Sequence, residues 1–188
     1  PGSKPKSPNV SVETGQVQSV NVSGSQIPDE LPPATVLEVL QRHGLPTQAI
    51  ALEITEGVLM SDVGMALSWI EKLRAAGLRI FLDDFGTGYS ALAYLKRFPL
   101  DTVKIDKSFI TDINADNKDH KLVNAIITMS ASLGLNVVAE GIEEESQLAL
   151  LRKLGCGYGQ GYYFSRPVPA DDFANTARRI NAAVRSVF

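Results

Sequence analysis

The chain repeats one short pattern: a stretch with helical spacing ends in glycine, an apolar run follows, and the run stops at a carboxylate or an amide. Glycine suits a helix C-terminus because it adopts the left-handed backbone conformation at little cost. A short apolar run after it is typical of a buried parallel strand. The repeat therefore predicts alternating helices and parallel strands, with polar groups at the carboxyl ends of the strands. The glycines are Gly44, Gly77, Gly134 and Gly155, and the runs stop at Glu53, Asp83–Asp84, Glu140 and Gln160.

Continued along the chain, the pattern predicts six strand–helix units. A closed (β/α)8 barrel has eight strands and about 250 residues, so the count allows either an open doubly wound sheet or an incomplete barrel. A doubly wound sheet would collect its polar groups at one switch point, whereas nearly every predicted strand here ends in a polar residue. We therefore favour an α/β fold of the (β/α)8 TIM type that lacks its first strand or strands and a helix.

Several predicted elements are defined closely enough to be compared with the structure. A strand is predicted at Thr102–Ile105, and a long helix is predicted over about Asp119–Leu133. Helical spacing places Leu122, Ile126 and Met129 on the inward side of that helix. The other elements to be compared are a helix capped by Asp62, a short helix at Ala91–Arg97 and a strand around Tyr158–Tyr163.

The chain divides into two parts by composition. Residues 1–16 are rich in proline, serine and glycine, and we expect them to be a linker or a cloning remnant outside the core. Regular alternation starts at Val17, so residues 17–188 are expected to form the domain.

Charge and cysteine content narrow the class of protein. The net charge is −3 with no basic stripe, which argues against binding to DNA or RNA. The single cysteine, Cys156, indicates a reducing compartment, and we expect a cytoplasmic domain. No apolar run reaches the roughly 18 residues that a membrane helix needs, so no membrane segment is expected in this chain. An anchor elsewhere in a longer parent protein is compatible with this expectation.

The residues at the predicted strand ends indicate a metal site. Carboxylates and amides without histidine or cysteine suit Mg²⁺ or Mn²⁺ and not zinc. Two such ions a few ångströms apart would clamp a phosphodiester and activate a water, while a lysine orients or deprotonates that water or neutralises the phosphate. The residues therefore predict metal-assisted phosphodiester hydrolysis. In chain order they are Asn21, Glu53, Asp83, Asp84, Lys104, Glu140 and Gln160.

Structural explanations compete with this interpretation for single residues. Glu140 taken alone is more often a helix cap, and Glu56 taken alone is more often a solvated acid at a helix start. Asp83–Asp84 could form only a turn before the glycine-rich loop. Asn21 and Lys104 are harder to explain structurally, because a buried amide or ammonium needs partners.

The motifs resemble those of the EAL domain family in order and spacing. They are Val20-Asn21-Val22-Ser23, Glu53-Ile54-Thr55-Glu56, Asp83 to Ser90, Lys104-Ile105-Asp106, Ala139 to Glu143, and Gly159-Gln160-Gly161-Tyr162. The Asp-Asp-Phe-Gly-Thr-Gly-Tyr-Ser run is the most specific of them. The resemblance implies hydrolysis of the bacterial second messenger cyclic di-GMP to linear pGpG. It also implies that residues 17–188 are the C-terminal two-thirds or more of an EAL domain.

The resemblance further implies a role for each site residue. Two divalent ions, Mg²⁺ or Mn²⁺, are implied, with Ca²⁺ inhibitory. The implied metal ligands are Asn21, Glu53, Asp83 and Asp84, and the implied substrate-binding residues are Asp84, Glu143 and Pro167. The implied catalytic group comprises Lys104 as a general base or water-orienting residue, Gln160 as support for the attacking water, Glu140 as a further acid near the metals, and Glu56 as the residue that holds the loop after Asp84.

One departure from the family pattern gives an alternative function. The family takes its name from a Glu-Ala-Leu segment upstream of the Asn21 strand, whose glutamate is a metal ligand. The printed chain has no such segment, since Glu13 is too near and lies in linker-like surroundings. The alternative is therefore a catalytically impaired domain that binds cyclic di-GMP or a protein partner. The expected partners are cyclic di-GMP, a second copy in a homodimer, or fused sensory or GGDEF domains in the parent protein.

Overall fold

The fold is built on one parallel sheet. The computed structural model describes residues 17–88, 95–115 and 117–185, and the six strands within these ranges are all parallel. The expected linker, residues 1–16, and most of the helix predicted at Ala91–Arg97 lie outside the described residues. The strands are β1 (Gln18–Asn21), β2 (Ile50–Thr55), β3 (Arg79–Phe85), β4 (Thr102–Ile105), β5 (Asn136–Ala139) and β6 (Tyr158–Gly159).

Strand order decides between the two predicted architectures. Each strand pairs with the next one along the chain, from β1 to β6, and the order never reverses. A doubly wound sheet requires a reversal, whereas sequential order is the arrangement of a (β/α)8 barrel. The six strands form an open half-barrel, which confirms the predicted incomplete barrel.

Helices connect the strands. In the described ranges they are α1 (Pro33–Arg42), α2 (Glu56–Ser61), α3 (Val63–Ala75), α4 (Lys118–Ser132), α5 (Glu145–Lys153) and α6 (Ala170–Arg185). The predicted cap of α3 is confirmed, because an Asp62 carboxylate oxygen accepts a hydrogen bond from the Met65 amide at 2.9 Å. Among these helices, none has both the length and the apolar composition needed to cross a bilayer.

Three local predictions were wrong or incomplete. Leu122 is exposed and not inward, because Val123 takes its place in the buried stripe of α4. The other two residues predicted to face inward do so, since Ile126 is buried and Met129 is partly buried against the core. The last strand is much shorter than predicted, since pairing stops at Gly159. The one-turn-and-a-half helix α2 was not predicted, because β2 runs directly into it without a turn residue.

Asp101 joins the amino ends of three strands. Its Oδ2 accepts from the Ile80 amide at 2.8 Å and its own amide donates to the Ile80 carbonyl at 2.9 Å, so β3 and β4 start in fixed register. Its carbonyl oxygen accepts from the Asn136 amide at 3.0 Å at the start of β5. An ion pair between Asp101 and Arg74 adds the end of α3. The opposite, carboxyl ends of these same strands carry the acids and the lysine predicted above.

Candidate functional site

Lys104 lies at the centre of the site. Its Nζ donates to Glu53 Oε2 at 2.8 Å, to Asp83 Oδ1 at 3.0 Å and to Glu140 Oε1 at 2.7 Å. These acceptors come from β2, from β3 and from the residue after β5. Lys104 and Glu53 are each only 4% exposed, so the cluster is shielded from water. The side chains converge because the carboxyl ends of parallel strands meet at one end of a barrel.

The charges in this cluster do not balance. Three carboxylates face one ammonium, which leaves an excess of negative charge in a buried position. Burial alone would lower the pKa of Lys104, but its hydrogen bonds to Glu140, Glu53 and Asp83 outweigh burial and raise that pKa above its ordinary value. The pKa of Glu140 is also raised, first by burial and then by the charges of Asp83 and Glu53, against the opposing effect of Lys104.

A β-bulge brings two neighbouring aspartates to the same site. Leu82 of β3 pairs with Val103 and Phe85 pairs with Ile105, so Asp83 and Asp84 together stand opposite Lys104. Adjacent residues of a regular strand point to opposite faces, and the extra residue of a bulge interrupts that alternation. Asp84 has a φ of +53°, a left-handed conformation that is uncommon for a residue other than glycine. Strain of this kind is concentrated at functional sites.

The acids fit a divalent cation. One carboxylate oxygen from each of Asp83, Asp84 and Glu140 can be chosen so that all three lie within 4.8 Å of one another. The pKa of Asp84 is raised by burial and by the charges of Asp83 and Asp106, against the lowering effect of Lys104. Hard oxygen donors that repel one another in this way match the ligand chemistry of Mg²⁺ and Mn²⁺. These residues form a possible acidic metal site.

Asn21 lies beside this group at the edge of the sheet. It is the register partner of Glu53, and paired residues of parallel strands share a face of the sheet. Its side chain is exposed on β1, whereas Glu53 is buried. The structure therefore brings Glu53 to Lys104 and leaves Asn21 on the open flank.

Glu56 supports the glycine-rich loop after β3. It is buried, and its Oε1 accepts a hydrogen bond from the Gly86 amide at 3.0 Å. A Cβ added to Gly88 would stand 2.5 Å from Glu56 Oε2, so any larger residue here would force the Glu56 carboxylate to move. Burial excludes the alternative of a solvated acid at a helix start.

The other predicted residues lie outside the hydrogen-bonded cluster of Lys104. The backbone of Gln160 is held next to Glu140, because its backbone N–H donates to the Ala139 carbonyl at 2.8 Å. The side chains of Gln160, Glu143 and Pro167 are exposed, and in the described part of the chain the hydrogen-bonded cluster of Lys104 does not include them. Gln160 and Pro167 line a cavity of about 790 Å³ between β6, α5 and α6.

Asp106 was given no role from the sequence, although it lies close to the site. It raises the pKa of Asp84, so the two carboxylates are near each other. Its own pKa is lowered, because hydrogen bonds from Ser108 and from the Lys107 amide outweigh burial. The signal was available in the Lys104-Ile105-Asp106 motif, since residues two apart on a strand share a face.

Comparison with known proteins agrees with this geometry. Residues 8–167 match the family model described as "EAL domain". The chain is 48% identical over 134 residues to "Cyclic di-GMP phosphodiesterase NbdA" of Pseudomonas aeruginosa. The matched region covers 71% of this chain but only 17% of NbdA. It thus spans a small fraction of that relative.

Solved structures show the same relationship. The "PaMucR Phosphodiesterase, c-di-GMP complex" matches with a TM-score of 0.79 and 41% identity, covering 82% of this chain and 69% of that chain. Klebsiella pneumoniae BlrP1 in a manganese and cyclic di-GMP complex matches with a TM-score of 0.72 and 31% identity, covering 79% of this chain and 38% of BlrP1. A BlrP1 complex with calcium and cyclic di-GMP matches similarly, at a TM-score of 0.73. On its sequence and its fold, this chain belongs to the EAL domain family.

Proposed function

We propose that this domain hydrolyses cyclic di-GMP to linear pGpG in a reaction that depends on Mg²⁺ or Mn²⁺. The observation that carries the proposal is the Lys104 ammonium within 3.0 Å of carboxylates from three separate strand ends. Membership of the EAL family and relatives named as cyclic di-GMP phosphodiesterases support the substrate. Activity of the whole parent protein is part of the proposal, because the chain spans only 17–22% of the length of NbdA and MucR.

The metal ligands in this proposal are Asn21, Glu53, Asp83 and Asp84. The close oxygens of the two aspartates and the place of Glu53 beside Asp83 support this set. Two bound ions would supply Lewis-acid stabilisation of the phosphate and a more acidic water, and Ca²⁺ is expected to bind without supporting turnover.

The remaining residues act on the substrate and the attacking water. Lys104, held among acids, would orient or deprotonate that water or neutralise charge on the phosphate. Glu140 keeps Lys104 in place from the opposite side, at 2.7 Å. Glu56 fixes the loop after Asp84 through Gly86. Their proposed partners are Gln160, which supports the water, and Glu143 and Pro167, which contact the substrate together with Asp84.

The domain is proposed to occupy residues 17–188 and to work within a larger protein. Fused sensory or GGDEF domains, or a second copy of the chain, are the proposed partners.

A binding module is the second candidate. The complex of BlrP1 with calcium and cyclic di-GMP supports this candidate, because it shows that an EAL relative can hold the nucleotide. Titration calorimetry with cyclic di-GMP in Ca²⁺ would measure binding separately from turnover. Binding in Ca²⁺ combined with no hydrolysis in Mg²⁺ or Mn²⁺ would favour the binding module.

Hydrolysis by the parent protein tests the main proposal. Purified protein is incubated with cyclic di-GMP and Mg²⁺ or Mn²⁺, and pGpG is quantified by chromatography. We expect pGpG to form with either ion and to be suppressed by Ca²⁺. No product with any divalent ion would refute the proposed activity.

A further inference from the structure

Gln147 forms four hydrogen bonds between two loops. Its Oε1 accepts from the Glu143 amide at 2.8 Å and from the Glu144 amide at 3.0 Å. Its Nε2 donates to the Ile110 carbonyl at 3.2 Å and to the Thr111 carbonyl at 3.0 Å. The side chain is buried, and both ends of its amide are satisfied by backbone groups.

The two loops are those that follow the central residues of the site. The loop ending at Thr111 comes directly after Lys104 and Asp106, and the loop ending at Glu144 comes directly after Glu140. They already touch near the site, because a Cβ on Gly141 would stand 2.5 Å from the Lys107 Cβ. Gln147 closes the far side of this contact.

We propose that Gln147 is a positioning residue that fixes Glu140 relative to Lys104 and Asp106. The inference rests on the proposed function, and it adds a residue that touches neither metal nor substrate. A side chain that holds the loops carrying the acids sets the distance between their carboxylates. Glu140 belongs to the group of three acids whose oxygens lie within 4.8 Å of one another, so the affinity of this group for a metal ion depends on that distance. Residues that orient metal-binding side chains without contacting the metal affect this affinity strongly.

Capping of helix α5 by Gln147 explains only two of its four hydrogen bonds. Gln147 Oε1 accepts hydrogen bonds from the Glu143 and Glu144 amides, and these bonds satisfy donors at the start of the helix. The two bonds from Nε2 reach the separate segment after β4 and contribute nothing to that cap. The inter-loop bonds therefore distinguish positioning from capping.

The substitution Gln147→Glu separates the two hydrogen bonds that Oε1 accepts from the two that Nε2 donates. A carboxylate keeps both acceptor bonds, but it loses the paired donors to Ile110 and Thr111 and places oxygen against oxygen. Gln147→Met keeps the length of the side chain and loses all four hydrogen bonds. It serves as the second test variant if the glutamate variant folds poorly. Ala149→Glu adds the same charge at an exposed position of the same helix and serves as the control.

Each variant is examined by Mn²⁺ titration, by hydrogen exchange with mass spectrometry, and by thermal unfolding. We expect both Gln147 variants to bind Mn²⁺ about 10- to 100-fold more weakly. Exchange should rise in residues 107–111 and 141–144, whereas Ala149→Glu should resemble wild type. Unchanged Mn²⁺ affinity, or faster exchange confined to α5, would overturn the inference. Wild-type protein that binds Mn²⁺ without hydrolysing cyclic di-GMP would instead refute the proposed function, and the affinity comparison would still decide the role of Gln147.

Discussion

The Lys104 ammonium lies 2.7 Å from the Glu140 carboxylate because of the register between β4 and β5. Lys104 is paired with Val138, and Glu140 follows Val138 by two residues, so it lies diagonally across from Lys104 on the same face. The Glu140 amide donates to the Ile105 carbonyl at 3.1 Å, which extends the pairing past the end of β5. Strand pairing therefore brings the two residues to the same face of the sheet.

Loss of the lysine should strongly reduce activity and destabilise the metal-free protein. Lys104→Met leaves three carboxylates together, and we expect turnover to fall at least ~100-fold. Removing one partner of a buried ion pair costs about 3–5 kcal/mol, so unfolding should occur at lower denaturant concentration. Mn²⁺ should restore part of that stability, because a cation can replace the ammonium. Denaturant unfolding with and without Mn²⁺ measures both effects, and equal loss of stability in the two conditions would contradict this expectation.

Removal of the Glu53 carboxylate should reduce turnover without a matching effect from a surface acid. Glu53→Ala is expected to lower kcat/KM for cyclic di-GMP at least ~100-fold, the scale associated with metal ligands and their supports. Glu38→Ala, at an exposed position of α1, is the matched control and should be neutral. Steady-state kinetics at saturating Mg²⁺ compare the two. A near-normal rate for Glu53→Ala would remove this residue from the proposed site.

The close approach of Gly88 to Glu56 predicts a sensitive position in the loop. Gly88→Ala would place its Cβ 2.5 Å from Glu56 Oε2, so the carboxylate must move and its bond to the Gly86 amide weakens. We expect lower turnover with little change in global stability. Gly57→Ala in α2 meets no atom closer than 3.9 Å and should be neutral or slightly stabilising. Kinetics and thermal unfolding of both variants check this; wild-type turnover by Gly88→Ala would contradict it.

The raised pKa of Glu140 predicts how stability depends on pH without metal. A carboxyl group whose pKa is higher in the folded than in the unfolded protein binds more protons in the native state. The stability of the native state therefore falls as the pH rises from about 4.5, the ordinary pKa of a glutamate, toward the raised pKa of Glu140. The same sign holds for Asp84, whose pKa is also raised. Glu140→Gln should flatten this loss, as followed by denaturant unfolding between about pH 4 and pH 7. An identical slope in wild type and Glu140→Gln would contradict the assignment.

Metal binding should reverse that shift and release protons. A divalent cation favours the ionised carboxylates, so calorimetric Mn²⁺ binding in buffers of different ionisation enthalpy should report proton release at mildly acidic pH. Glu140→Gln should release fewer protons than wild type. No buffer dependence at any pH would show that the acids are already fully ionised in the metal-free protein.

Much of the fold could be predicted from short windows of sequence. The strand at Thr102–Ile105 matches the structure, and the cap at Asp62 is where local pattern placed it. Leu122 shows the limit, because its spacing fits two adjacent stripes of α4 and only packing against the sheet selects Val123. The short β6 shows another, since its pairing with β5 stops at Gly159 although apolar residues continue beyond it.

The sequence by itself determined the alternation of helices and parallel strands, the family, and the acids and lysine at the strand ends. These follow from local periodicity and from motifs that are each confined to a few consecutive residues. Only the tertiary structure decided that Lys104 binds carboxylates from three elements, that a bulge turns Asp84 toward Asp83, and that Gln147 joins two loops. Such contacts depend on register between segments far apart in the chain, and register is an outcome of sheet packing that no single segment encodes.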